Sequence, residues 1–166
     1  MPAIAAIDIG SNALRLAIAA LDSDGRYQIV HSAREAVRLG QDVFSGGAIS
    51  EGTLTRALDA LGRFREQIDR HRATPIKAAA TSAVREATNA ETLLRRAQRT
   101  HGIRIEIIGP EEEARLVHLA VRERIGTRNC LALLIDIGGG SIEVRDRKST
   151  RLNSSHVSES RMPSSA

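Results

Sequence analysis

The sequence has few aromatic side chains, a single cysteine and no long apolar run, and each scarcity excludes a class of protein. Its 166 residues contain no tryptophan, one tyrosine and two phenylalanines, too few for a platform that stacks single-stranded nucleic acid. Cys130 alone cannot form a disulfide framework or a cysteine-only metal site. No apolar stretch is long enough for a membrane span, and no signal-peptide pattern is found at the N-terminus, so we expect a cytoplasmic protein.

Positive charge is concentrated at the C-terminal end of the sequence. The net charge is +4, but residues 1–144 carry 19 lysine and arginine residues against 18 aspartate and glutamate residues. Residues 145–166 carry five basic and two acidic residues. The overall basicity therefore does not indicate a nucleic-acid partner, because the first 144 residues are nearly neutral.

The last 22 residues differ in composition from the rest of the sequence. They are rich in serine and lack hydrophobic periodicity, so residues 145–166 are predicted to be disordered. The segment also resembles the translation of a sequencing adapter, and we expect it to be artefactual, with a reading frame that is truncated near Val144. A natural basic tail that contacts phosphate is the alternative.

Hydrophobic periodicity in residues 1–144 predicts an α/β architecture. Three strands come first, and helices then alternate with strands. The glycine-containing segment between Arg38 and Ile49 is predicted to be a loop. Ser50 and Asn89 are predicted to cap the first two helices, and Pro110 to begin the third. The predicted strands are Ala3–Ile9, one beginning at Leu14, Tyr27–Val37, Ile76–Ala80, Ile103–Ile108 and Cys130–Ile137.

A glycine turn preceded by an aspartate occurs twice, each time at the end of a predicted buried strand. Glycine allows backbone N–H groups to approach an anion closely, and the aspartate can hold a divalent cation or its water beside that anion. A single copy is more often a simple turn, but two copies facing each other would bind a phosphate chain from both sides. The two copies are Asp8-Ile-Gly10-Ser11-Asn12 and Asp136-Ile-Gly138-Gly139-Gly140-Ser141.

Two further segments carry side chains that are suited to phosphate chemistry. Thr81 and Ser82 directly follow a predicted strand, where ligand-binding loops of α/β folds emerge, and Arg85 can contact phosphate oxygens in a bidentate manner. Taken alone, Arg85 is better explained as a solvent-exposed partner of Glu86 or Glu91. Three successive glutamates, residues 111–113, begin the third helix. They suit its positive dipole, but one of them is also a candidate base for an attacking water, and spacing does not decide which.

These motifs together resemble the N-terminal part of the exopolyphosphatase/guanosine pentaphosphate phosphohydrolase family, in order and spacing over residues 3–144. The resemblance implies an actin-like (ribonuclease H-like) α/β fold, consisting of a first lobe and the beginning of a second. It also implies magnesium-dependent hydrolysis of terminal phosphoanhydride bonds in polyphosphate or guanosine pentaphosphate. The segments that carry it are Asp8–Asn12 with Leu14-Arg15-Leu16, Arg38-Leu-Gly40, Ala80–Arg85, Glu112–Leu116 and Asp136–Ser141 with Glu143.

The same resemblance assigns roles to individual residues. Glu113 matches the family's catalytic base and Arg85 its phosphate-clamping arginine, whereas Arg38 lies in a typical motif without a clear role. Mg²⁺ is the implied cofactor, with Asp136, Glu143 and Asp8 as the expected metal-linked carboxylates. The residues expected to bind phosphate are Asp8, Gly10, Ser11, Asn12, Thr81, Ser82, Gly138, Gly139, Gly140 and Ser141.

The sequence departs from the family pattern at Ala13, where a small polar residue is common, and in its length. We expect residues 1–124 to form the first lobe and 125–144 to begin the second, so the 166-residue chain is expected to be inactive by itself. A sugar or acetate kinase of the same fold and a non-catalytic phosphate-binding module are the alternatives. The substrate preference and the oligomeric state, a homodimer included, stay open.

Overall fold

The computed structural model describes residues 2–24 and 26–125, together with the backbone of three later strands. It divides into two compact units, residues 1–110 and 111–166. None of the described helices is long and apolar enough to cross a membrane. The strands are β1 (Ala3–Ile9), β2 (Leu14–Leu21), β3 (Tyr27–Glu35), β4 (Ile76–Ala80), β5 (Ile105–Ile107), β6 (Leu133–Ile137), β7 (Ile142–Asp146) and β8 (Asn153–Ser155); the helices are α1 (Leu39–Gly46), α2 (Glu51–Arg70), α3 (Ser82–Glu86), α4 (Ala90–His101) and α5 (Pro110–Ile125).

The first unit is built on a five-stranded mixed sheet with the order β3-β2-β1-β4-β5. β1, β2 and β3 form an antiparallel meander, whereas β4 and β5 run parallel to β1. Ile7 and Ile9 alternate with exposed residues along β1, and Leu14 and Leu16 do the same along β2. The alternation places one face of the sheet in the core, because successive side chains of a strand point to opposite faces.

Helices α2 and α4 pack together and close the core of this unit. The predicted N-cap of α2 is confirmed, since the Ser50 side chain accepts a hydrogen bond from the Thr53 N–H. Along α2 the large buried side chains recur at helical spacing, and Leu54, Leu61 and Phe64 are almost completely inaccessible to solvent. This helix therefore forms because its apolar stripe has a sheet and a second helix to cover it.

The predicted loop between Arg38 and Ile49 is wrong over most of its length, because residues 39–46 form α1. The loop is predicted from the glycines of this segment. Gly40 instead packs inside the helix, and Gly47 ends it in the left-handed conformation, with its N–H bonded to the Val43 carbonyl. A glycine at a helix end and a glycine in a loop look alike in the sequence.

Asn89 precedes α4 as predicted, but its side chain does not cap the helix. Its amide instead forms two hydrogen bonds with the backbone of Ile49: Oδ1 accepts from the N–H at 2.9 Å, and Nδ2 donates to the carbonyl at 2.8 Å. The pair fastens the segment between α1 and α2 to the start of α4. The sequence could not show this contact, because the two residues are 40 positions apart.

The second unit consists of α5 and an antiparallel sheet with the order β6-β7-β8. β6 begins at Leu133 in the structure, and Cys130 lies outside the described residues. β8 is regular structure within the segment predicted to be disordered, because backbone pairing along β7 does not require apolar side chains. The lobe boundary at residue 124 and the artefactual origin of residues 145–166 stay predictions.

Candidate functional site

Most of the sequence-predicted residues of the first unit meet at one edge of the five-stranded sheet. β1, β4 and β5 are parallel, so their carboxyl ends lie side by side at Ile9, Ala80 and Ile107. The Thr81 N–H donates to the Ile9 carbonyl, and the Ile108 N–H donates to the Ala80 carbonyl, so the chain stays paired just beyond the strands. Crevices at this edge are where ligands bind in open α/β sheets.

The first glycine turn connects β1 to β2 at this edge. The Gly10 N–H donates to the Ala13 carbonyl at 3.2 Å, which closes the turn through the backbone. The departure at Ala13 therefore does not prevent closure, because this contact does not use the Ala13 side chain. Asp8 and Asn12 flank the turn with exposed side chains, where a ligand would have access to them.

Ser11 and Ser82, both predicted to bind phosphate, are buried and hydrogen-bonded to each other. Their Oγ atoms lie 2.8 Å apart, although the residues are 71 positions apart in the sequence. Thr81, beside Ser82, is also buried. This bond joins the turn after β1 to the turn after β4 and fixes their relative position.

The Arg38-Leu39-Gly40 segment packs against the same turn. Arg38 has a left-handed backbone conformation (φ 61°, ψ 48°), which is uncommon for a residue with a side chain. Its N–H donates to the Asn12 carbonyl, and the Gly40 N–H donates to the Ser11 carbonyl at 2.8 Å. A side chain at Gly40 would place its Cβ 3.0 Å from the Ser11 Cβ, so glycine is required for this close approach.

Arg85 is half-buried at the end of α3, and its Nη1 donates to the Ile108 carbonyl at 2.8 Å. This contact bridges the turn after β4 and the segment after β5, so the guanidinium is fixed at the strand ends.

The structure separates the three glutamates that the sequence left equivalent. Glu112 forms a two-point ion pair with Arg115, with both N–O distances 2.7 Å, and this hydrogen bonding lowers the pKa of the Glu112 carboxyl. Glu111 is exposed, and Glu113 is half-buried. All three lie in the first turn of α5, the favourable end of the helix dipole for a carboxylate.

Two cations on the exposed face of the sheet have no site role predicted from the sequence. The strand register aligns Asp8, Arg15 and Arg34 directly across β1, β2 and β3. Both arginines are exposed, and neither guanidinium has a hydrogen bond or ion pair within the described part of the chain. The alternation of β2 and β3 could have located them, because residues of like parity share a face.

The second glycine turn, Gly138, Gly139, Gly140 and Ser141, lies outside the described residues. The flanking strands are described as backbone, and Asp136 and Glu143 occupy directly paired positions of β6 and β7. Among the residues with described side chains, no three histidine, cysteine, aspartate or glutamate residues could hold a metal ion together. Asp8 is the one member of the predicted metal set within that search.

Comparisons with known proteins identify a family and a fold. A model of the Ppx/GppA phosphatase family matches residues 17–160. The chain is 32% identical over 138 residues to exopolyphosphatase 1 of Mycobacterium tuberculosis, which covers 83% of this chain and 40% of that protein. It therefore spans less than half the length of this curated relative.

Solved structures show the same similarity in three dimensions. An exopolyphosphatase from Cytophaga hutchinsonii superposes with a TM-score of 0.84 at 31% identity, over 93% of this chain and 50% of that one. The Ppx/GppA family member of Aquifex aeolicus gives 0.78 at 33% identity, over 93% and 51%. The actin-like α/β fold implied by the sequence resemblance is confirmed.

Proposed function

The chain belongs to the Ppx/GppA phosphatase family, and from that premise we propose that the protein hydrolyses terminal phosphoanhydride bonds and releases orthophosphate. Inorganic polyphosphate is the proposed substrate, with guanosine pentaphosphate as a second one. The observation that carries the proposal is the sheet edge at which the first glycine turn, the Ser11–Ser82 bond and the anchored Arg85 guanidinium come together.

The described residues suggest a division of roles, in which the turns of the first unit bind phosphate and Glu113 of the second unit acts on the water. Backbone N–H groups near Gly10 and the exposed Asn12 side chain would bind phosphate oxygens, as glycine turns do. Arg85 would neutralise charge that develops on the transferred phosphoryl group. Glu113 would orient the attacking water and accept its proton, a role that leaves Glu112 to its ion pair with Arg115.

A divalent metal ion fits the chemistry of the proposed donor set, because Asp8, Asp136 and Glu143 offer only carboxylate oxygens, the ligands that Mg²⁺ prefers. We propose Mg²⁺ as this ion. When bound, it would neutralise phosphate charge beside the glycine turns. A cytoplasmic location and a homodimer stay predictions.

The proposal is tested with the longest protein that the source genome encodes around this sequence. Orthophosphate release is measured from long-chain polyphosphate and from guanosine pentaphosphate, with Mg²⁺ and with a chelator. We expect release that requires the metal and is lost in an Arg85→Ala variant. A folded protein that releases phosphate from neither substrate would overturn the proposal.

The same assay separates the alternatives. Release from guanosine pentaphosphate alone would assign the protein to the guanosine pentaphosphate pyrophosphatases rather than to the exopolyphosphatases. ADP formation from ATP that depends on an added sugar or acetate would identify a kinase of this fold.

A further inference from the structure

A groove in the first unit lies away from the glycine turns and is lined by arginines. It has a volume of about 580 Å³, within the range of ligand sites in proteins. One wall is a single face of α4, and the other is the start of the edge strand β5. The lining residues are Glu91, Leu94, Arg95, Gln98, Arg99, Gly102, Arg104 and Ile105.

The charge in this groove is not neutralised within the described part of the chain. Arg99 and Arg104 are exposed, and neither guanidinium has a hydrogen bond or ion pair there. Arg95 has only the Glu91 carboxylate, at 3.9 Å. Arg96 lies on α4 outside the groove and pairs with a carboxylate of α2, whereas Arg99, the α4 arginine without an ion pair among the described residues, lines the groove.

The shape and lining of the groove indicate which kind of anion it would take. Its wall on α4 runs from Glu91 to Arg99, a length of roughly 12 Å at the rise of an α-helix. The lining contains no aromatic side chain on which a nucleobase could stack. An extended anion without a base, charged along its whole length, fits these features better than a nucleotide does.

The groove is close to the candidate site along β5. Ile105 lines the groove, and the Ile108 carbonyl accepts the hydrogen bond from Arg85. Three residues of extended chain separate Ile105 from Ile108, which corresponds to about 10 Å. One long polyanion can therefore contact both places, whereas orthophosphate cannot.

We propose that this groove binds the chain of inorganic polyphosphate at a distance from the phosphate that is hydrolysed. It would hold a long polymer at a second point and favour it over short ones. The inference rests on the proposed function, because polyphosphate as the occupant is taken from it. Arg99 and Arg104 would carry the contact, with Arg95 released from Glu91 on binding.

The test measures binding to the 166-residue chain rather than turnover. The Arg99→Glu/Arg104→Glu variant is compared with the parent by titration with long-chain polyphosphate and with triphosphate. We expect the affinity for the long polymer to fall by at least about tenfold, as the loss of two charge-assisted contacts implies, with little change for triphosphate. The dependence of affinity on salt should also weaken, because fewer counterions are released.

An Arg70→Glu/Arg26→Glu variant is the matched control. Arg70 lies in the last turn of α2, as Arg99 does in α4, and Arg26 is exposed just before β3, at the opposite edge of the sheet from β5. The control changes the net charge equally, so it should retain the parent affinity. Equal weakening in both variants would overturn the proposal, since binding would then depend on net charge alone.

Two further double variants and a second polymer test the same groove. The charge-retaining Arg99→Lys/Arg104→Lys variant should keep most of the affinity, and the neutral Arg99→Gln/Arg104→Gln variant replaces the reversal if that one does not fold. Tighter binding of polyglutamate than of polyphosphate would overturn polyphosphate as the occupant. Loss of polymer binding in the groove variant would support the groove even if the longer protein released no phosphate, so the two proposals fail separately.

Discussion

The Oγ atom of Ser11 lies 2.8 Å from the Oγ atom of Ser82, and both side chains are buried. One hydroxyl follows β1 and the other precedes the arginine that is anchored at Ile108. The bond therefore connects the glycine turn to Arg85. The two buried serines therefore hold the glycine turn and the Arg85 segment in place from the interior of the protein.

Removing either hydroxyl should destabilise the chain. Ser11→Ala or Ser82→Ala leaves the other hydroxyl buried without its partner, which costs about 1–3 kcal/mol in free energy of unfolding. The Ser11→Ala/Ser82→Ala double variant should cost less than the sum of the two. Urea denaturation of the four proteins measures this, and strictly additive losses would contradict the pairing.

Gly40→Ala should destabilise the protein, because the added Cβ would lie 3.0 Å from the Ser11 Cβ and 2.7 Å from the Phe44 ring. Overpacking of this kind costs about 1–3 kcal/mol, measured as the shift in thermal unfolding. Gly46→Ala is the control in the same helix, since nothing lies within 4 Å of its added Cβ. The free energy of unfolding of the control should rise by up to about 1 kcal/mol, because alanine is more stable than glycine inside a helix. Equal effects at the two positions would contradict the crowding at Gly40.

The ion pair between Arg63 and Glu35 should make stability depend on pH. Its N–O distances are 2.9 and 3.0 Å, and hydrogen bonding to Arg63 lowers the pKa of the Glu35 carboxyl. A lowered carboxyl pKa contributes stability that is present above the ordinary value of about 4.3 and is lost as the pH falls through the lower folded-state value.

The measurement is the free energy of unfolding of the parent and of Glu35→Gln between pH 7 and pH 2. We expect a difference of at most about 1 kcal/mol at pH 7, because the pair is partly exposed, and a smaller one in acid or high salt. Glu106→Gln, an exposed residue on β5, is the control and should show no such trend. A difference that grows as the pH falls would have the wrong sign.

Asn89→Ala should loosen the connection between α1 and α2. Both backbone polar groups of Ile49 would lose their partner, at a cost of about 1–3 kcal/mol. Asn89→Asp keeps the acceptor but places a carboxylate beside the Ile49 carbonyl, so it should recover stability when acid protonates it. Hydrogen exchange at the Ile49 amide provides a local measurement, and unchanged protection in Asn89→Ala would rule out the contact.

Glu113→Gln should reduce phosphate release by the longer protein by about 10²–10⁴-fold, the usual contribution of a general base. The control is Glu112→Gln, which removes the ion pair with Arg115 from the same helical turn. It should change stability slightly and the rate little. A Glu113→Gln variant that retains the full rate would reject Glu113 as the base.

Sequence patterns located the elements well where the pattern has a single physical cause. A short apolar run before a glycine turn predicted β1 with its observed bounds, and the position of Ser50 before a helical stripe predicted the α2 cap. α1 was missed because glycine permits several backbone conformations, and only packing against Ser11 selects the helix. Asn89 was assigned the wrong partner, since a local cap is the simplest use of an asparagine before a helix.

The sequence by itself determined the α/β class, the places of the strands along the chain and the motifs that identify the family, because these follow from periodicity and short-range chemistry. Only the tertiary structure decided what the motif side chains do. It paired Ser11 with Ser82, anchored Arg85 on Ile108 and bound Glu112 to Arg115, so that three adjacent glutamates became distinct. The Ser11–Ser82 and Arg85–Ile108 contacts join segments that are distant in the sequence, and the Glu112–Arg115 pair depends on the direction of the side chains. Spacing along the chain specifies neither the distant contacts nor that direction.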